Sequence, residues 1–355
     1  MTRPRLVHIA LAAILGAPVC GAQAPARAGG DATWPVKARE HTDLWWHGFA
    51  MVSEDASQVP LFRRGYADSL HAVRRAAAAT TDLDANRAYL AQALATDPAL
   101  VNAQFLPLYF GSWADMDDAV ETFLTAAESG KRARDDGEGR LAAVGGVFGT
   151  KVAREFARRL LLSLRSERDR FFHEWWLAEM RRREPVIARV DSLWRTTYAP
   201  ALRPFLARTQ QRDGDFVLSL VLEGEGRTAA AGPRRATVAV GLPLTTARAE
   251  DAIFAFAHDV VGTLVAAAIA DNLSPAEKRS GVPALLSSAA TVRAGALLLA
   301  HVGDGAAERY QRFYLRLAGV DAGAEVGAAF ARTFALPEPV LESIGRQIAV
   351  TFGGI

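Results

Sequence analysis

The residues best suited to chemistry are His258 and Asp259, within the stretch FAFAHDVVGTLVAAAIADN at positions 254–272. A helix with the pattern H-E-x-x-H presents two imidazoles one turn apart, which bind zinc while the intervening glutamate acts as a general base. The same frame reads H-D-x-x-G in this chain. His258 is therefore a candidate metal ligand, and Asp259 is a candidate catalytic base.

His258 also fits a simpler role. On a helix it shares one side with Phe254, Val261 and Val265, so its imidazole points toward a buried face. Both nitrogens of a buried imidazole need hydrogen-bond partners, and backbone carbonyls or side-chain oxygens usually supply them. The apolar surroundings alone favour a core histidine over a metal ligand.

Further ligands would have to come from later in the chain. His301 and Glu308 lie 43 and 50 positions after His258, a separation that suits ligands from a later helix, but both also fit ordinary helix positions. Gly262 stands where a second histidine would be needed, so a tight zinc site cannot form in this frame. Asp259 is one methylene shorter than glutamate and reaches less far toward a bound water. These departures favour a chain without zinc over one with it.

The elements that would position these residues can be predicted from local patterns. Short β-branched runs at 216–223 and 235–243 predict a pair of strands, joined by the glycine-rich linker GEGRTAAAGP, and a helix at 249–271 follows. Most of the remaining chain repeats apolar residues at helical spacing. We therefore predict a mostly α (α+β) protein, with a helical region at 41–200 and the strands and candidate site in a region at 201–355.

The order of strand, short loop and helix with H-[E/D]-x-x-[H/G] resembles the active-site unit of zincin metallopeptidases. The segments VPLFRRGYADSLHAVRR and FARTFALPEPVLESIGRQIAVTFGGI extend a resemblance to bacterial secreted proteins of uncharacterised zincin-like families. In zincins an edge strand lies above the metal and holds the substrate in extended form. The resemblance implies a zincin-like half at 201–355, with a substrate cleft between the strand at 235–243 and the helix at 249–271, faced by His258.

The departures at Asp259 and Gly262 alter what the resemblance implies about activity. If active, the protein would be a zinc-dependent peptidase. We expect a catalytically impaired or inactive zincin-metallopeptidase-like protein that keeps the cleft for a peptide or protein partner. The alternative is a helical binding or scaffold protein of the cell envelope that has no active site.

The first 28 residues have the pattern of a secretory signal peptide. Arginines at 3 and 5 precede an apolar run at 6–19, and small residues lie before Gly29. The apolar run is too short to span a bilayer. This pattern predicts export to the periplasm or beyond, a flexible leader at 29–40 and no integral membrane segment in the mature chain. Lipid attachment at Cys20 is less favoured, because Val19 stands where a small residue is normally wanted.

Composition argues against several other functions. Lysine and arginine number 41 against 39 acidic residues, and loss of residues 1–28 would leave 38 basic residues. No basic stripe with interleaved aromatics indicates nucleic-acid binding. Cys20 is the only cysteine, so the mature chain would have neither a thiolate nucleophile nor a disulfide. The serine-hydrolase elbow G-x-S-x-G and the phosphate-binding loop G-x-x-x-x-G-K-[ST] are both missing from the sequence.

Overall fold

The computed structural model describes residues 34–53, 62–129, 139–209, 211–232, 235–321 and 323–353. Helices make up 73% of the structure and strands 8%, which confirms the predicted mostly α (α+β) class. The predicted signal peptide at 1–28, Cys20 and residues 29–33 of the predicted leader lie outside the described residues.

The elements are numbered in chain order over the described residues. The strands are β1 (Val36–Ala38), β2 (Asp213–Ser219), β3 (Arg227–Gly232) and β4 (Arg235–Gly241). The helices are α1 (Glu40–Val52), α2 (Tyr66–Ala76), α3 (Asp82–Thr96), α4 (Trp113–Glu128), α5 (Arg140–Val147), α6 (Lys151–Glu167), α7 (His173–Leu193), α8 (Ala199–Arg208), α9 (Ala249–Val260), α10 (Gly262–Asn272), α11 (Pro275–Arg279), α12 (Val282–Ala300), α13 (Ala306–Leu317), α14 (Val326–Thr333) and α15 (Glu338–Phe352). The other helical segments are the 3-10 helices Pro98–Tyr109 and Thr246–Arg248 and the π-helices Arg168–Phe172 and Trp194–Tyr198.

The chain divides into two compact units. The sheet unit comprises Pro35–Thr196 and Gly214–Asp259, and the helical unit comprises Trp34, Thr197–Asp213 and the described part of Val260–Ile355. The chain passes from the sheet unit to the helical unit between Thr196 and Thr197, close to the boundary predicted between residues 200 and 201. The strands and His258 nevertheless belong to the same unit as the N-terminal helices, so the predicted region at 201–355 is divided between the two units.

The four strands form one sheet in the order β1-β2-β4-β3. β1 pairs with β2 in parallel, and β3 pairs with β4 antiparallel. The predicted strands at 216–223 and 235–243 correspond to β2 and β4, which are neighbours. Two local predictions were wrong, because β1 lies in the predicted leader and β3 lies in the predicted linker. β1 has three residues and β3 is rich in alanine and glycine, so neither carries the β-branched pattern that marks a strand.

The position of β4 also corrects the expected cleft. β4 has a hydrogen-bonded neighbour on each side, so it is an interior strand. An extended substrate needs a free strand edge to pair with, and β4 does not offer one. The edge strand next to β4 is β3, which the sequence patterns did not reveal.

Helix α1 lies at the centre of the sheet unit, and nearly all of its residues are buried. The indole of Trp45 donates a hydrogen bond to the carbonyl of Ala103 at 2.9 Å, and that of Trp46 donates to the carbonyl of Gln104 at 2.7 Å. Both acceptors belong to the 3-10 helix Pro98–Tyr109. The two tryptophans therefore supply apolar volume and also satisfy buried carbonyls.

Asp43 joins α1 to the end of β2 and to α7. Its buried carboxylate accepts hydrogen bonds from the hydroxyl of Ser219 at 2.5 Å, the indole of Trp176 at 2.9 Å and the amide of Leu220 at 3.2 Å. Burial raises the pKa of Asp43 to about 6, and the three donors only partly oppose that rise. A single carboxylate thus ties three elements together.

The predicted helix at 249–271 is two helices, because α9 ends at Val260 and α10 begins at Gly262. Phe256 anchors α9 on the sheet, since its ring centroid lies 4.7 Å from that of Phe216 on β2 and 4.6 Å from that of Trp194. Glycine disfavours a helix interior, which is consistent with the break before Gly262.

The helical unit contains α8 and α10–α15. Helix α10 packs against α12 and α15, and α13 packs against α12 and α14. Among the described residues, α12 is long and apolar enough to cross a membrane by length and composition, with a mean hydropathy of 1.5 over its best window. The stretches Thr246–Val260 and Gly262–Asn272 pass this test of length and composition only when they are counted together. Core helices of folded proteins pass the same test, so it does not identify a membrane span.

Candidate functional site

His258 and Asp259 occupy the last turn of α9. His258 is 4% exposed, and the side chain of Asp259 is 10% exposed. The hydroxyl of Thr228 on the edge strand β3 donates to Oδ2 of Asp259 at 3.3 Å. The end of α9 thus faces β3, and the candidate residues lie between a helix and a sheet edge.

The imidazole of His258 lies between two carboxylates. Its Nδ1 is 3.2 Å from Oδ1 of Asp259, and its Nε2 is 4.0 Å from Oε1 of Glu225. Burial lowers the pKa of His258, but the hydrogen bond with Asp259 and the negative charges of Glu225 and Asp259 outweigh burial and raise the pKa above its ordinary value. The surroundings of His258 therefore favour the imidazolium form.

Glu225 reaches this position because the chain before β3 passes very close to α9. A Cβ added to Gly226 would lie 2.1 Å from Oδ2 of Asp259 and 2.6 Å from the carbonyl oxygen of Ala239. No side chain fits there without displacing backbone. Gly226 is thus needed for close approach of the backbone, which brings Glu225 within reach of His258.

Arg227, the first residue of β3, is a buried cation whose charge acts on Asp259 and Glu225. It is 3% exposed, its Nε donates to Oε1 of Gln104 at 2.7 Å, and its guanidinium lies 5.9 Å from the ring centroid of Phe105. Burial lowers the pKa of Arg227 to about 10, while the charges of Asp259 and Glu225 oppose that fall. Even so lowered, the guanidinium stays charged at neutral pH.

Together these residues form a compact ion cluster, which we call the His258 cluster, of His258, Asp259, Glu225 and Arg227. With His258 protonated, two cations face two carboxylates and the charges balance. The contacts of Asp259 with His258 and with Thr228 stabilise the junction of α9 with β3. Buried charges are tolerated when they are paired in this way.

The His258 cluster fits a catalytic zinc ion poorly. Zinc needs three protein ligands and an open position. One nitrogen of His258 is already bonded to Asp259, and the positive charge of Arg227, which acts on both carboxylates, would oppose a divalent ion. Among the described residues, no group of three histidine, cysteine, aspartate or glutamate side chains is arranged to hold a metal.

The other candidate residues have separate surroundings in the helical unit. His301 follows the last residue of α12, and its ring stacks on Phe352 with centroids 4.0 Å apart. Glu308 lies in the first turn of α13 and pairs with Arg312 at 2.8 Å on an exposed surface. Gly262 begins α10, beyond the end of α9. His301 and Glu308 thus have ordinary stacking and helix-surface roles, and Gly262 has no side chain to act as a ligand.

Sequence reasoning missed Glu225 and Arg227, which lie in what was predicted to be a linker. A usable signal was the run Gly-Glu-Gly-Arg at 224–227, because charged residues between glycines indicate a turn in close contact with another element. The contact with α9 depends on the tertiary fold and could not be inferred from spacing.

Two cavities are lined by residues other than those of the His258 cluster. One, of about 700 Å³, is in the helical unit and is lined by residues of α8, α10 and α15. The other, of about 530 Å³, is in the sheet unit, where α1 and α4 begin. The second is lined by Arg39, Glu40, His41 and Arg168 among others, so it combines charged and titratable side chains that the sequence patterns did not group.

Comparison of the chain with protein families, with curated proteins and with solved structures found no match.

Proposed function

We propose that this chain is an exported helical binding protein of the cell envelope, and that the His258 cluster is structural instead of catalytic. The observation that supports this proposal is the placement of His258 between the carboxylates of Asp259 and Glu225, on which the charge of the buried Arg227 also acts. The side chain of His258 is 6% exposed, so a substrate could not reach it without displacing its neighbours.

The state of Asp259 supports the same proposal. A general base needs a free oxygen within hydrogen-bond reach of the proton that it removes. Oδ1 of Asp259 faces His258, and Oδ2 accepts from Thr228. Both oxygens are therefore engaged within the protein. The carboxylate acts as a link between α9 and β3.

A second candidate function is a catalytically impaired zincin-metallopeptidase-like protein that binds peptide. One observation favours it: β4 leads through a short 3-10 turn into α9, which carries a histidine and a carboxylate in its last turn. A peptide could not pair with β4, so it would have to add to the edge strand β3 or β1. Zinc, if it binds at all, would use His258 together with Asp259 or Glu225.

Metal analysis of the purified chain separates these two proposals. The wild type, His258→Gln and the control His301→Gln should be dialysed against zinc and analysed by inductively coupled plasma mass spectrometry, beside a peptidase assay. We expect all three to contain less than stoichiometric metal and to lack peptidase activity. Stoichiometric zinc in the wild type and in His301→Gln, but not in His258→Gln, would overturn the structural role of the cluster and support the zincin-like candidate.

A further inference from the structure

The cavity of about 530 Å³ in the sheet unit lies where two helices begin. The first residues of α1 and the residues from Gly111 to Ala114 at the start of α4 line it, and Arg168 lies beside them. Helices α1 and α4 have 13 and 16 residues, so each has a developed dipole. The positive ends of two helix dipoles therefore face one open cavity.

Backbone amides at both helix ends are available to a ligand. The N-cap residue of α1, Arg39, makes no side-chain cap, and among the described residues the amides of Glu40, His41 and Thr42 have no acceptor. At α4, the hydroxyl of Ser112 caps the third residue only, which leaves the first two amides of that helix without an acceptor in the described chain. Unpaired first-turn amides are typical donors to bound anions.

His41 provides an independent indication of a ligand. It is 4% exposed, and its Nε2 lies 3.3 Å from the carbonyl oxygen of Pro107, 3.2 Å from that of Phe110 and 3.4 Å from the hydroxyl of Thr42. Carbonyl oxygens only accept hydrogen bonds, so Nε2 must carry the hydrogen and Nδ1 must carry the lone pair. No described residue hydrogen-bonds Nδ1.

The ring of His41 is also neutral. Burial, reinforced by the positive charge of Arg39, lowers the pKa of His41 to about 4. A buried side chain in the wall of this cavity therefore presents a bare acceptor nitrogen. A ligand in the cavity can donate a hydrogen bond to Nδ1 in place of water.

The charged side chains that line the cavity are two arginines and one carboxylate. Arg39 bonds to Asp215 at 2.5 Å and to the carbonyl of Phe110 at 3.2 Å. Arg168, the first residue of a π-helix, donates to Glu40 at 3.0 Å. Glu40 also lies 3.0 Å from Nδ1 of His173, so its charge is shared between two partners. The lining is thus net positive before the helix ends are counted.

We propose that this cavity binds a phosphate group that carries a proton, as free phosphate or as a phosphomonoester. The inference rests on the proposed binding function and names a ligand class for it. Amides from two helices and two guanidiniums match the several oxygens of a tetrahedral oxyanion. The lone pair of His41 Nδ1 matches the P–OH hydrogen. Sulfate is similar in shape but lacks that hydrogen, and a carboxylate has fewer oxygens and no hydrogen, so both should bind less well.

Calorimetric titration of the purified chain at neutral pH tests the proposal with four probes: inorganic phosphate, glycerol phosphate, sulfate and acetate. We expect saturable phosphate binding with a Kd of about 1 mM or tighter, and sulfate binding weaker by about tenfold. Comparable affinity for glycerol phosphate would identify a phosphomonoester site, and a preference for inorganic phosphate would identify the free ion. Absence of saturable phosphate binding up to about 20 mM would overturn the proposal.

Variants locate the binding in the cavity. Arg168→Gln should weaken phosphate binding at least about fivefold, whereas Glu40→Gln removes the opposing carboxylate and should strengthen it. His41→Phe should abolish the preference for phosphate over sulfate, with circular dichroism used to check that it folds. Arg346→Gln, at an exposed arginine of the helical unit, is the matched control and should bind as the wild type does. Unchanged phosphate binding in Arg168→Gln and Glu40→Gln would place the ion elsewhere and overturn the assignment.

The two proposals can fail separately. A metal-free, inactive chain that does not bind phosphate would overturn this inference and leave the structural role of the His258 cluster standing. A chain that binds phosphate and also binds stoichiometric zinc at His258 would support this inference and overturn the structural role of the His258 cluster.

Discussion

Nε2 of His47 lies 3.1 Å from Oε1 of Glu167, a residue 120 positions further along the chain. Neither side chain is exposed. On its other side, Nδ1 of His47 is 3.0 Å from the hydroxyl of Tyr66, and the same glutamate oxygen is 3.3 Å from Nε of Arg74. This network joins α1, α2 and α6 inside the sheet unit, although its members are too deeply buried to meet a substrate.

Glu167→Gln should strongly destabilise the protein. The substitution removes one of the two carboxylates that pair with the buried Arg74 and leaves only Asp84, at 2.6 Å. Breaking a buried ion pair from one side costs about 3–5 kcal/mol, which is the upper bound here because Asp84 remains. Urea denaturation followed by circular dichroism measures the loss. Glu308→Gln removes a carboxylate that is 58% exposed and should change the free energy of unfolding by less than about 0.5 kcal/mol. A loss below about 1 kcal/mol in Glu167→Gln would contradict a stabilising role for the network.

The pKa of Glu167 also predicts the direction in which the stability of the protein changes with pH. Burial raises the pKa of this carboxyl, but His47, Thr81 and Arg74 together outweigh burial and lower the pKa below its ordinary value. The stabilisation is therefore present above the unfolded-state pKa of 4.5 and is lost as pH falls through the folded-state pKa. The stability difference between wild type and Glu167→Gln should accordingly shrink below about pH 4.5.

The helices could be predicted from the sequence because each has a repeating apolar face that must be buried. Residues such as Leu44, Trp45 and Phe49 mark α1, and Leu90 and Leu94 mark α3, and all of them are fully or almost fully buried. The class of the fold followed from these patterns. The order of the strands did not, because β1 and β3 have few β-branched residues and pair through backbone contacts that leave no sequence pattern.

The chemistry of the site was less predictable, for a related reason. The motif drew attention to His258 and Asp259, which are indeed adjacent to charged groups. Their partners, Glu225 and Arg227, come from a segment that read as a linker. Contact between them depends on a close backbone approach at Gly226, and one glycine among 29 in the chain gives no sign of such an approach.

Gly226→Ala tests that close approach. Its Cβ would meet the carbonyl oxygen of Ala239, which is backbone and cannot move aside, as well as the carboxylate of Asp259. We expect a loss of about 2 kcal/mol or more in the free energy of unfolding. The matched control is Gly262→Ala at the start of α10, where a Cβ would meet nothing within 4 Å. That substitution should be neutral or slightly stabilising, since alanine favours a helix. Equal effects in the two variants would contradict the packing described here.

Asp43→Asn should change the pH dependence of stability in the opposite sense to Glu167→Gln. Burial raises the pKa of Asp43 from 3.8 to about 6, so the folded chain binds this proton more tightly than the unfolded chain. The wild type should therefore lose on the order of 3 kcal/mol, relative to Asp43→Asn, as pH rises from about 4 to 7. Denaturation of both proteins at several pH values measures the difference. A difference that stays constant over this range would show that Asp43 is not protonated in the folded state near pH 5.

His258→Gln distinguishes an ion cluster from a metal site by the sign of its pH dependence. The neighbouring carboxylates raise the pKa of His258 above 6.5, so the stabilisation by imidazolium is fully present below that value and is lost as pH rises through the folded-state pKa. The loss in His258→Gln should therefore be larger at pH 6 than at pH 9.

The control for this effect is Thr228→Val, which removes a hydroxyl from Asp259 without removing a charge, and its cost should be similar at pH 6 and pH 9. A zinc ligand would behave in the opposite way, because a metal binds the neutral imidazole and competes with protons. If His258 were a zinc ligand, the loss in the free energy of unfolding caused by His258→Gln in the presence of zinc would increase as pH rises. Denaturation of wild type and His258→Gln at both pH values, with zinc and with chelator, therefore measures which of the two roles His258 has.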